Sequence, residues 1–298
     1  MRDANGLYTG PIIDPHHHLF DRSLDKHPWL RGASGVLAQS CLPADYLRDT
    51  AGYDIVGTVH VEAGWQPGEP FAELAWLDAL EKPDWMARRY VGNAILDAPE
   101  TPAILERYAA HGKVVGIRDI LSWHPDPTRS FSRERHRMSN PAWQAGLRHL
   151  DALGLSFDLM ISPWQAAEAL ELARAFPNLS FIINHCGSPF DRTDEGMAHW
   201  RAGLTALAPA PNVAIKVSDL VAYDPHWTID SLRPVVLDCL AAFGTERTML
   251  ASDHPVLGLA ATFEQAYGAF QLILKGLSDA ESEAVFWKNA NRLYRIGM

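Results

Sequence analysis

A chain of 298 residues, 47% apolar and 21% charged, has the composition of a globular protein with a sizeable core, and this is an ordinary length for one α/β barrel. Acidic side chains outnumber basic ones 36 to 26, a formal charge of −10, which argues against a nucleic-acid footprint or binding to anionic lipid. Cys41, Cys186 and Cys239 form neither a CxxC pair nor a disulfide framework, no apolar run is long enough to span a bilayer, and Met1–Tyr8 lacks the basic start and apolar middle of a secretion signal, so a cytoplasmic protein is expected.

In chain order, the first expected strand is Ile12 to His16, followed by a loop carrying His27-Pro28-Trp29-Leu30. Strands are then expected at Ile55–Val61, Tyr90–Ala94, Val114–Arg118, Leu155–Met160, Phe181–Asn184, Val213–Val217 and Thr248–Ala251. Helical periodicity lies between them, at Pro70–Ala79, Thr101–Ala110, Ala142–Leu153, Gln165–Ala175, Asp194–Leu207, Ile229–Phe243 and Thr262–Leu272. A last helix, Ala280 to Asn289, is expected to pack outside. Eight such alternations predict one α/β domain over 1–298, a (β/α)8 TIM barrel with its active site at the C-terminal ends of the strands. A doubly wound open sheet is the alternative, but no GxGxxG follows the first strand.

The chemistry-bearing residues gather at those strand ends: His16 and His18, Glu62, Arg118, Asp158, His185, Lys216 and Asp253. In a strand, residues i and i+2 share a face, so His16 and His18 point together while His17 turns away. Two such imidazoles can meet one zinc ion; they can equally form a histidine-rich turn satisfied by water and carboxylates. His185 ends an apolar strand before Cys186-Gly187-Ser188-Pro189, as a third site imidazole or as a buried structural one. Asp253 is placed as a water-activating base or as an N-cap. Arg118 can polarise a carbonyl or clamp a carboxylate, or neutralise Glu62, Asp119 or Asp158. Trp65, Trp123 and His124 fall in loops where a ring could pack on a sugar or simply fill space. Asp158 faces inward as a substrate contact or as the ion-pair partner of Lys216. Four arginines within 129–137 could frame a mouth for a carboxylated substrate, or form a solvated loop or a subunit contact.

Taken together, IIDPHHHLFD at 12–21, HPWL at 27–30, GIRDIL at 116–121, GLSFDLM at 154–160, FIINHCGSP at 181–189, PNVAIKVSDL at 211–220 and MLASDHPV at 249–256 resemble the amidohydrolase superfamily. The resemblance is closest to its branch of sugar lactonases and 2-pyrone-4,6-dicarboxylate lactonases. It implies hydrolysis of a small sugar-derived or carboxylated lactone, with Asp253 as base. It also implies a ligand set of His16, His18, His185 and Asp253 for one divalent metal, zinc by preference. Arg118 stands where the wider superfamily carries a metal-bridging lysine or glutamate, and Asp158 where it often carries a histidine, so a two-metal centre is not expected. The branch also has metal-independent members, in which histidines and arginines polarise the carbonyl. Decarboxylation of an aromatic or unsaturated acid is the enzymatic alternative, and an inactive metabolite-binding barrel the non-enzymatic one. The oligomeric state is left open.

Overall fold

Short β-branched runs form the strands because both of their faces are buried, one against helices and one inside the barrel. The computed structural model describes residues 1–132 and 134–298; Arg133, one of the four arginines of the 129–137 loop, lies outside the described residues. The strands are β1 (Ile12–His17), β2 (Ile55–Val61), β3 (Arg89–Asn93), β4 (Val114–Arg118), β5 (Ser156–Leu159), β6 (Phe181–Ile183), β7 (Val213–Val217) and β8 (Thr248–Leu250). They pair in parallel in sequence order. The last gap closes just beyond β8, where the His18 amide donates to the His254 carbonyl at 2.7 Å and the Asp253 amide to the His16 carbonyl at 2.8 Å. The expected barrel is borne out, and three of the eight strands match the expected bounds residue for residue.

The pairing of β1 with β2 shifts register twice, between Ile12 and Ile13 and again between Asp14 and His17. Asp14 lies opposite Thr58 and His17 opposite His60, so three steps on β1 match two on β2. Pro15 sits within this bulge, a position that needs no ladder hydrogen bond. Beyond it, His16 and His18 share the inner face, while His17 packs on Tyr46 and its Nε2 lies 2.8 Å from the Thr58 hydroxyl.

The helices α1 (Pro43–Asp49), α2 (Ala72–Ala79), α3 (Thr101–Ala109), α4 (Pro141–Ala152), α5 (Ala166–Ala175), α6 (Asp194–Leu207), α7 (Ile229–Phe243) and α8 (Phe263–Ile273) follow in chain order. Helix α4 buries Trp143, Gly146, Leu147 and Leu150, the i, i+3, i+4, i+7 stripe of an amphipathic helix. Gly146 permits a close crossing, since a Cβ there would stand 2.1 Å from the Leu96 carbonyl oxygen. Gly146→Ala is therefore expected to lower stability by about 1–3 kcal/mol in urea denaturation, despite alanine's better helix propensity.

The end of the chain extends one expectation. The helix expected at 280–289 is present, but it is part of a longer helical stretch, 279–293, interrupted by a π-turn. The stretch comprises α9 (Asp279–Glu283), the π-turn at Ala284–Lys288 and α10 (Asn289–Leu293), and it closes the N-terminal end of the barrel. Asn289 donates to the carbonyls of Thr245 and Thr248, and Arg295 to those of Val115 and Gly154. Ala290, Tyr294 and Ile296 join the interior layer of Ile13, Val59, Val61, Val91, Val115, Ile182, Ala214 and Met249. The lower barrel is thus a dry apolar plug, and polar interior groups begin above it.

Candidate active site

The first polar layer above the plug is an ion pair. Lys216 Nζ lies 2.6 Å from Asp158 Oδ2, with both side chains fully buried. Asn184 Nδ2 donates to the same oxygen at 2.9 Å, and the Tyr294 hydroxyl reaches both Asp158 oxygens at 2.9 and 3.0 Å. The Asp158 oxygens are thus met by Lys216, Asn184 and Tyr294, the ion-pair arrangement that was the alternative to a substrate contact.

Arg118 occupies the inner face at the end of β4. Its Nε donates to Glu62 Oε1 at 2.7 Å and its Nη2 to the Glu62 carbonyl at 2.8 Å. The remaining arm, Nη1, lies 3.4 Å from His16 Nε2. Glu62 is held in turn by the Gly64 amide at 2.9 Å.

Above these, His16, His18, His185 and Asp253 converge from β1, the β6 end and the β8 end. The His16 ring centroid is 5.1 Å from that of His18 and 4.6 Å from that of His185. His16 Nε2 and His18 Nε2 lie 3.3 and 3.2 Å from Asp253 Oδ1. All four residues are buried, with His18 the most exposed at 6%. His18 Nδ1 is 2.7 Å from the Val61 carbonyl, which can only accept, so the His18 proton sits on Nδ1 and Nε2 is left for the site. His185 Nδ1 lies 3.0 Å from the Ser218 hydroxyl. Asp14, buried outside the wall, takes the Ser252 amide and hydroxyl and the Tyr46 hydroxyl, which ties β1 to the turn that carries Asp253.

Three side chains of this cluster stand on left-handed backbone: His185 with φ 51°, Asp219 with φ 56° and Asp253 with φ 58°. Non-glycine residues adopt that region at a cost, and it turns each chain sharply at its strand end so that the side chain faces the barrel axis. Asp219 is the site residue that sequence reasoning missed. Its carboxylate forms a close group with a ring nitrogen of His185 and the carboxylate of Asp253, the three ligand atoms lying within 4.8 Å of one another. The available signal was its place directly after β7, in Val217-Ser218-Asp219, the setting shared by the other strand-end groups.

Burial lowers the pKa of His16 well below its usual value, helped by the Lys216 charge, and brings His185 down to about 4, partly offset by Asp253. Burial alone would raise the Asp253 carboxyl, but His185, His18 and Arg118 outweigh it and hold the group below the ordinary carboxylate range. Asp219 moves the opposite way, raised by burial and by the neighbouring Asp253 charge. The site at neutral pH therefore pairs an ionised Asp253 with neutral His16 and His185 rings.

The outer aromatic residues are placed apart from this centre. Trp65 donates to Glu69 at 2.9 Å and packs on His27 and Trp76. Trp123 carries the Arg135 guanidinium 4.9 Å above its ring. His124 packs on Trp164 and Phe190, two walls of a groove of about 230 Å³ between the β5 and β6 loops. Among the described residues, no hydrogen bond or ring contact joins Trp65, Trp123 or His124 to the central four. Arg137 pairs with Asp97 at 2.7 Å and Asp119 at 3.0 Å, so this member of the four-arginine loop serves an internal network.

The central geometry suits a metal ion. Two donors each about 2.0 Å from a tetrahedral ion are roughly 3.3 Å apart, which matches the two imidazole-to-Asp253 separations. The bare His18 Nε2 facing a carboxylate oxygen also calls for a cation or a proton between them. Comparison with known proteins decides the relationship. The profile of the Amidohydrolase family matches residues 13–296. The chain belongs to this family. An uncharacterised protein of Sinorhizobium fredii, y4mH, is 35% identical over 96% of this chain and 98% of its own length. An L-fucono-1,5-lactonase of Burkholderia multivorans is 30% identical over 95% of this chain and 96% of its own. An amidohydrolase of Burkholderia multivorans, solved with bound zinc, superposes with a TM-score of 0.81 at 25% identity, covering 96% of this chain and 99% of that one. In the amidohydrolase chain His16, His18 and Asp253 form a group that could hold a divalent metal ion, and no described helix is long and apolar enough to cross a membrane.

Proposed function

We propose that this amidohydrolase opens a small lactone by hydrolysis, and that the lactone is a neutral, sugar-derived one. The observation that carries the reaction is the Asp253 carboxylate, buried at the barrel mouth 3.3 and 3.2 Å from His16 and His18. Asp253 takes a proton from water as the water attacks the ring carbonyl. Arg118 Nη1, the arm not engaged by Glu62, faces the same space and donates to the oxygen that becomes negative. His185 lines the opposite side, oriented through Ser218, and serves as a further polar contact to the reacting ester. An ion held by His16, His18 and Asp253, with His185 close by, would supply Lewis-acid polarisation of the carbonyl and make water more acidic.

The preference for a neutral ring rests on charge. Among the described residues, the cations nearest the centre are already paired: Arg118 with Glu62, Lys216 with Asp158, and Arg137 with Asp97 and Asp119. A dicarboxylate would meet Asp253 and Asp219 with no such cation left to balance it. A relative described as L-fucono-1,5-lactonase, matched over 96% of its length, supports the same class. Trp123 and His124, on loops at the same end, are proposed to border the sugar, and Trp65 to pack behind it.

A pH-indicator assay over neutral aldonolactones and carboxylated lactones, with zinc, manganese or chelator added, tests the proposal. Turnover of at least one neutral lactone, with kcat/KM about tenfold or more above any dicarboxylated lactone, is the expected result. Turnover confined to carboxylated rings would overturn the substrate class, and carbon dioxide release without acid production would overturn hydrolysis.

A further inference from the structure

Among the described residues, His16 is the site imidazole held between two cationic side chains. Lys216 Nζ lies 3.4 Å from its Nδ1, and Arg118 Nη1 lies 3.4 Å from its Nε2. Ammonium and guanidinium groups have only hydrogens to offer, so a fully buried ring between them cannot carry a proton on both nitrogens. Its single N–H must face one of the two. Among the described residues, only Nε2 has an acceptor within reach, Asp253 Oδ1 at 3.3 Å. Nδ1 has Lys216 alone, and Lys216 is itself pinned by Asp158 at 2.6 Å, a carboxylate held by Asn184 and Tyr294.

We propose that Lys216 locks His16 with its proton on Nε2, as a hydrogen-bond donor to Asp253, and thereby weakens divalent-metal binding at the His16, His18 and Asp253 site. A histidine that ligates through Nε2 carries its proton on Nδ1 and gives it to an acceptor behind the ring. His18 has that arrangement, with the Val61 carbonyl at 2.7 Å. His16 has the reverse, because the group behind it is a donor. To join a metal through Nε2, His16 must move its proton to Nδ1, against Lys216. The two imidazoles of one HxH pair therefore have opposite tautomers: His18 is a ready ligand, and His16 is a positioned donor that becomes a ligand at a cost. Lys216 acts through His16 and is a positioning residue. The inference rests on the reading of these three residues as the metal set, and is independent of the lactone proposal.

Long-range ¹H–¹⁵N correlation spectra of histidine rings in the metal-free full-length protein test it, with His16 and His18 identified through His16→Gln and His18→Gln variants. The expected result is a proton on Nε2 of His16 and on Nδ1 of His18. In the Lys216→Met/Asp158→Asn double variant, which removes both charges together, zinc affinity measured by chelator competition should tighten about tenfold or more. A wild-type His16 protonated on Nδ1 would overturn the proposal, as would a folded double variant whose zinc affinity changes less than threefold. The wild-type spectrum decides even where the variant fails to fold, and absence of lactone turnover would leave both readouts unaffected.

Discussion

Asp253→Asn is expected to lower kcat for lactone opening by about 10²–10⁴-fold, the range removed with a positioned general base. Asparagine keeps the size of the side chain, and its amide can still meet His16 and His18, which face Asp253 Oδ1 at 3.3 and 3.2 Å. It cannot take a proton from water. The melting temperature should stay within a few degrees of wild type, because the backbone contact that closes the barrel, Asp253 amide to His16 carbonyl, does not involve the side chain. The loss should fall on kcat and kcat/KM together, as for a group used in the transition state and little in ground-state binding. Undiminished turnover in a correctly folded Asp253→Asn protein would remove Asp253 from the reaction.

The second large effect is on stability. Lys216→Met should destabilise the protein by about 3–5 kcal/mol in equilibrium urea denaturation, the cost of leaving one member of a buried ion pair alone. Asp158 would keep its bonds from Asn184 and Tyr294 but lose the full charge facing it, at 2.6 Å in a layer closed to solvent. Adding Asp158→Asn should restore most of the loss, because a neutral amide needs no counter-charge and can still accept the Tyr294 hydroxyl. If the single variant is as stable as wild type, the pair carries no such penalty and Lys216 is not needed to balance Asp158.

Much of the barrel was readable because its strands are buried on both faces and leave continuous runs such as Val114-Val115-Gly116-Ile117 and Phe181-Ile182-Ile183. The shared facing of His16 and His18 followed from strand parity alone. The bulge at Pro15 did not, since it appears only when β1 is laid beside β2. Asp219 was missed because a lone carboxylate after an apolar run looks like a cap, and a positive φ at a non-glycine residue has no sequence mark. The partners of Arg118 were among three acids named from sequence, but the choice of Glu62 depends on distances between strands far apart in the chain. Asp158 was legible as inward-facing; that its oxygens are filled from below depends on Tyr294, 136 residues away and beyond the last helix expected from sequence.

The seam of the barrel runs through the reacting groups themselves. Peptide groups of His16, His18, Asp253 and His254 make the hydrogen bonds that join the first strand to the end of the last, across 235 residues of sequence. Half of the proton-handling machinery is thus made early in synthesis and half near the finish, and neither half can be oriented until the ends of the sheet meet. Closing the ring of strands and assembling these groups become one event, so a chain that has not completed its tertiary structure lacks the candidate site.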